Sequence, residues 1–165
     1  MTAPFRDRLD WAAMPGRVMD GPRRYLLLRP EALMGVFHRL DPAARLAALQ
    51  AFADSVAEMG ADSARAYEAM GGGSGEALAA TVAASAPDLG WGTWRFGFPS
   101  GAVHLEVRDS PFAAGFGPAQ HAVCMPITGM VRAVAGLVLG CPAMAVETEC
   151  AAMGAPCCRF RAVPA

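Results

Sequence analysis

The stretch Ala143-Met-Ala-Val-Glu147-Thr-Glu149-Cys150-Ala-Ala-Met-Gly154-Ala-Pro156-Cys157-Cys158-Arg-Phe160-Arg-Ala162 carries most of what this chain says about itself. It alternates like a strand, breaks at Gly154-Ala-Pro156 and resumes as a second strand, the pattern of a tight antiparallel return. Side chains on a strand alternate between faces, so Cys158 shares a face with Phe160 and Ala162, whereas Cys157 falls with Arg159 and Arg161. Cys158 is therefore expected to point inward and Cys157 outward. The turn carries Cys158 back toward Cys150, and Glu147 lies three residues before Cys150, late in the first strand. Cys124 comes from across the fold, at the start of an apolar helical run that ends at Gly140 and Pro142. Three thiolates and one carboxylate form a mixed donor set that tetrahedral zinc accepts, and with every position filled by protein such a site is structural rather than hydrolytic. Arg132, Arg159 and Arg161 are the expected hydrogen-bond donors offsetting its excess negative charge. Cys141 is left as a spare thiol.

The 165 residues are 54% hydrophobic with a formal net charge of −1. A single domain of this size buries roughly 70% of its unfolded surface, so a metal fixes local geometry rather than rescuing a core. No basic stripe is present, which argues against nucleic acid as a partner. No apolar run approaches the ~20 residues of a membrane helix, and the first residues lack the apolar core of a secretory leader. A cytoplasmic location is expected, and five cysteines, an odd number, fit reduced thiols and metal ligation better than a disulfide framework.

Residues 1–22, with Pro4, Pro15, Gly16, Gly21 and Pro22, read as an irregular arm that docks on its own domain or on a second subunit. Residues 23–165 read as one domain. Arg23 to Leu28 suggests a strand, Pro30 opens a helix reaching about Leu40, and Asp41-Pro42 caps a long helix striped by Leu46, Leu49, Phe52, Val56 and Met59. Gly60 is expected to kink or pause it, and the glycine run at 71–75 to end it. That run lacks the spacing of a phosphate loop, so it reads as a hinge before a helix at Glu76 to Ala86. From Gly90 the period becomes that of strands. Trp94, Phe96 and Phe98 share one face and Trp91, Thr93 and Arg95 the other, and Val103, Leu105 and Val107 point inward from the partner strand of a hairpin. Ser110 to Pro118 reads as a loop leading past His121 to Cys124. Gly129, Ala133, Gly136 and Gly140 form a narrow stripe that lets another element approach the last helix.

Gly90-Trp91-Gly92, Ser110-Pro111, Cys124, Gly129, Gly140, Glu147-x-x-Cys150 and Gly154-x-x-x-Cys158-x-Phe160 together resemble the 4-vinyl reductase domain family, over roughly residues 85–163. The resemblance implies an α+β fold, with helices packed on an antiparallel β-sheet, of the ligand-binding type shared by nitric-oxide sensors and Golgi-transport subunits. It implies zinc on Cys124, Glu147, Cys150 and Cys158 in a subdomain at about 121–163, an apolar ligand pocket nearby, and a homodimer. The family includes a bacteriochlorophyll-biosynthesis protein, archaeal hydrocarbon-binding proteins and sensor domains of phenol-responsive activators.

The leading functional expectation is a zinc-stabilised module that binds an apolar or aromatic small molecule, a tetrapyrrole intermediate first, as carrier or assembly factor. Trp91, Trp94, Phe96 and Phe98 are its candidate lining residues, because aromatic rings stack on flat ligands, and His121 is a candidate ligand for a chelated metal. A one-domain sensor or regulatory subunit for phenol-like or hydrocarbon ligands is the alternative; with neither ATPase nor DNA-binding segment after the domain, its signal is expected to pass to a separate partner. Reduction of a vinyl group needs a hydride donor, and no flavin or nicotinamide fingerprint is present, so that reading requires a partner protein and no catalytic residue is assigned.

Overall fold

The computed structural model describes residues 3–12, 14–69, 71 and 73–165; Met1, Thr2 and Ala13 of the arm, and Met70 and Gly72 beside and within the glycine run, lie outside the described residues. The arm is more ordered than its prolines and glycines suggest. Its first turn, α1 (Phe5–Arg8), buries the Phe5 ring to 2% exposure, edge-on to Tyr25 at 5.1 Å. Arg6 pairs with Asp88, and Arg8 with Asp20 at 3.1 Å. The strands β1 (Val18–Asp20) and β2 (Arg23–Tyr25) then pair as a small antiparallel hairpin. Burial of one aromatic ring and two ion pairs fasten this segment to the rest.

Pro30 sits in the first turn of α2 (Pro30–His38), where a missing N–H costs nothing. Asp41 caps α3 (Pro42–Ala69) by accepting from the N–H groups of Ala43 and Ala44, both at 3.0 Å. The helix runs straight through Gly60, contrary to the expected pause. A mid-helix glycine is roughly 1 kcal/mol less favourable than alanine, and here the space over it is taken by Met130, whose Sδ lies 2.8 Å from where a Cβ would stand. After the glycine run comes α4 (Glu76–Ser85).

The strands β3 (Thr93–Gly97) and β4 (Val103–Arg108) form the expected hairpin, with Trp94 opposite Val107 and Phe96 opposite Leu105. Ser110 to Pro118 is not simply a loop. Ser110 accepts from Ala113 N–H and Pro111 follows it, so the chain forms a short helix, α5 (Pro111–Phe116), that buries Phe112 and Phe116. Then come α6 (Met125–Leu139), stopped by Gly140 at φ 69°, β5 (Ala143–Glu149), a 3-10 turn (Ala151–Met153) and β6 (Cys158–Pro164). The sheet order is β3-β4-β6-β5, all antiparallel. Its inner face presents Val103, Leu105, Val107, Phe160 and Ala162 to α6, itself packed along α3. Gly129 permits that helix contact, because a Cβ there would collide with the Ala53 carbonyl. Among the described residues no helix is long and apolar enough to cross a membrane.

Candidate metal centre and apolar cavity

Cys124 occupies the N-cap position of α6, Glu147 lies on β5, Cys150 follows that strand and Cys158 opens β6. In a regular strand, residues three apart face opposite ways, so Glu147 and Cys150 should diverge. A β-bulge between Glu147 and Glu149 removes the conflict. Glu147 pairs with Phe160 and Glu149 with Arg159, and the extra residue, Thr148, is held by its hydroxyl donating to the Arg159 carbonyl at 3.1 Å. Both Glu147 and Cys150 then turn inward.

One ligand atom from each of Cys124, Glu147, Cys150 and Cys158 lies within 4.8 Å of the others. The Sγ atoms of Cys124 and Cys158 are 3.6 Å apart, where Zn–S bonds of about 2.3 Å would place tetrahedral sulfurs ~3.8 Å apart. Backbone and hydroxyl groups orient the donors: Cys124 N–H donates to Glu147 Oε2 at 2.9 Å, Ala151 N–H to Cys158 Sγ at 3.3 Å, and Ser110 Oγ stands 3.2 Å from Cys124 Sγ. The other Glu147 oxygen, Oε1, is buried with no hydrogen-bond partner among the described residues. A buried carboxylate oxygen left unpaired is costly unless something fills the space beside it. The donor set, its separation and this oxygen all fit a divalent cation.

Electrostatics point the same way. Burial, then the neighbouring Cys150 charge, push Glu147 up to about 8. The Cys124 thiol is raised by hydrogen bonding with Cys150 and Cys158 and by burial. Cys158 is pulled down by its hydrogen bond with Cys124, but that with Cys150 and burial outweigh it and push it up to about 12. Cys150 is held low by hydrogen bonds from Cys124 and Cys158. The site thus stores protons that a cation would displace on binding.

The arginines expected around the centre are elsewhere. Arg159 pairs with Glu149 at 2.7 Å and Glu106 at 3.4 Å on the outer face of the sheet, and Arg132 pairs with Asp54 at 2.7 Å. Arg161 is exposed on that same outer face. Cys157 is buried, not outward, because β6 begins only at Cys158 and strand parity does not extend to the residue before it. It remains outside the four-donor group, as does the half-buried Cys141.

An apolar cavity of about 230 Å³ lies between α3, α4 and α6, with Trp91 and Trp94 in its wall beside Tyr25, Met59, Val82 and Met130. Trp94 donates its indole N–H to the Trp91 carbonyl at 2.9 Å, and Trp91 packs edge-on against Phe112 at 5.1 Å. Ser63 and Ser85 add hydroxyls, and no acidic or basic side chain lines the space. Phe96 and Phe98 stack on each other at 6.2 Å outside this wall, and His121 lies against Phe116 at 6.3 Å. Met59, Gly60, Ser63 and Met130 were not singled out as lining residues; on the chain they look like an ordinary helical core stripe. The cavity and the centre share α6, which begins at Cys124 and carries Met130.

Residues 103–164 match the model of the 4-vinyl reductase (4VR) domain family. The matched span covers the hairpin partner strand, the last helix and all four donors. In backbone, the whole chain is similar to the crystal structure of the phenol-responsive sensory domain of the transcription activator PoxR with phenol, with a TM-score of 0.76 at 23% identity over 99% of this chain and 92% of that one. It is also similar to a trafficking protein particle complex subunit 3 from Naegleria fowleri covalently bound to palmitic acid (TM-score 0.53, 13% identity, 81% and 93% covered). A vinyl-4-reductase family protein from Methanocaldococcus jannaschii is comparable (TM-score 0.52, 11% identity, 81% and 88% covered). These likenesses show the expected α+β fold. No curated protein matches the chain in sequence.

Proposed function

We propose that this chain is a small-molecule-binding module whose last two strands are fastened by a structural zinc ion on Cys124, Glu147, Cys150 and Cys158. The cavity beside Trp91 and Trp94 is the observation that carries the binding reading. Its lining is apolar with a few hydroxyls and no charge, so a neutral ligand is favoured over an ion, which would be stranded there without a partner. At about 230 Å³ it falls below the roughly 300–1,000 Å³ of pockets for drug-sized ligands, which favours a one-ring aromatic or short hydrocarbon over a tetrapyrrole macrocycle. The phenol bound to the PoxR sensory domain has that size and chemistry. The reading is therefore a sensor or regulatory subunit for phenol-like ligands, with carriage of a tetrapyrrole displaced to second place.

The exposed run Leu26, Leu27 and Leu28, at 81%, 73% and 53%, supports the further reading that two copies associate. Thermal unfolding with and without phenol, cresols and short alkylbenzenes tests the ligand reading. Binding at a hundredfold excess over the dissociation constant stabilises by about 2.7 kcal/mol, so at least one compound is expected to raise the melting temperature; a flat profile across the panel contradicts it.

A further inference from the structure

We infer that Gly60 and Met130 together act as the size gauge of the apolar cavity, setting the largest ring system it admits; this rests on the reading of that cavity as a small-molecule site. Both residues line it, from α3 and α6 respectively. Gly60 is buried in the middle of a long helix, a position where nothing in the backbone calls for glycine. What requires it is the thioether: a Cβ on Gly60 would stand 2.8 Å from Met130 Sδ and 2.9 Å from Cε, with Ala133 Cβ 3.9 Å away. Such a methyl forces the Met130 terminus aside. The room open to it is the cavity, since methionine is unbranched and adapts to the gap it is given. Met130 is thus an adjustable wall, and the missing side chain at Gly60 is the recess that keeps it out of the ligand space.

The test compares the wild type, Gly60→Ala, Met130→Ala and the double variant, all checked by circular dichroism, with phenol and 1-naphthol as probes and quenching of tryptophan fluorescence as readout. One extra methylene in an apolar pocket shifts discrimination by roughly tenfold or more. Gly60→Ala is expected to weaken phenol by at least that factor, Met130→Ala to tighten 1-naphthol relative to phenol by a similar factor, and the double variant to regain phenol because the new methyl occupies space the thioether vacated. A phenol-to-naphthol ratio unchanged in all four proteins, or a double variant no better than Gly60→Ala, overturns the gauge alone. Absence of binding of either probe to every protein overturns the small-molecule reading, and the gauge with it.

Discussion

The metal centre and the cavity are built from opposite materials. Around Cys124, Glu147, Cys150 and Cys158 the polar donors are fixed by backbone: a helix N-cap, a bulge, a 3-10 turn and a strand start. Around Trp91 and Trp94 the wall is side-chain volume from three helices, with one ring held by one hydrogen bond. Backbone-fixed donors tolerate almost no substitution but hold their geometry whatever binds elsewhere. A wall of methionine, valine and alanine adapts, and its selectivity can be retuned one residue at a time.

The greatest loss should fall at the centre. Cys158→Ala should abolish metal binding and leave the buried Glu147 uncompensated; structural zinc contributes on the order of 10 kcal/mol in small zinc-dependent peptides, an upper guide for a domain with its own core. Hydrogen exchange should show β5 and β6 losing protection before α3. Loss spread evenly over both would erase the distinction between the two regions. Gly129→Ala comes next: its methyl would run into the Ala53 carbonyl, and overpacking of this kind costs about 1–3 kcal/mol or more. Denaturant unfolding measures it, and an unchanged midpoint would mean that α3 and α6 can part freely. On the cavity side, Ala64→Leu fills space that a ligand would use; a cost of about 1–3 kcal/mol, loss of phenol binding and full retention of metal are expected from calorimetry and elemental analysis.

Weaker effects mark where each region ends. Cys157→Ala should keep its metal, since that thiol, though buried, is not among the four donors. At the arm, hydrogen bonds and charge from Arg6 hold the Asp88 carboxyl below its ordinary range. A carboxylate depressed in the folded state contributes stability above its unfolded value, near ~3.9, and that contribution fades as pH falls through the folded value. Asp88→Asn should therefore lower the melting temperature at neutral pH and match the wild type in strong acid; an equal deficit at both pH values would assign the effect to packing.

The donors were legible because cysteine and glutamate carry specific chemistry and strand parity separates Cys158 from a solvent-facing position. The bulge was not, although its trace is present: two inward residues three apart on a strand need one extra residue between them, and Thr148 looks like any other strand residue. The helix α5 was missed despite a readable start, Ser110 capping and Pro111 in the first turn. The reach of α3 was obscured by Gly60, whose reason lies on another helix. The cavity was half legible. Trp91 and Trp94 announce an aromatic wall, but Phe96 and Phe98, next along the same alternation, stack on each other beyond it, and only tertiary packing decides which rings meet the space.

Elemental analysis of protein purified without added metal or chelator, combined with alanine variants at Cys124, Glu147, Cys150 and Cys158, bears straight on the zinc clasp. About one zinc ion per chain is expected in the parent protein and a clear loss in the cysteine variants, in keeping with four donors in one tetrahedral site. Parent protein that folds and melts cooperatively with no stoichiometric metal would contradict it.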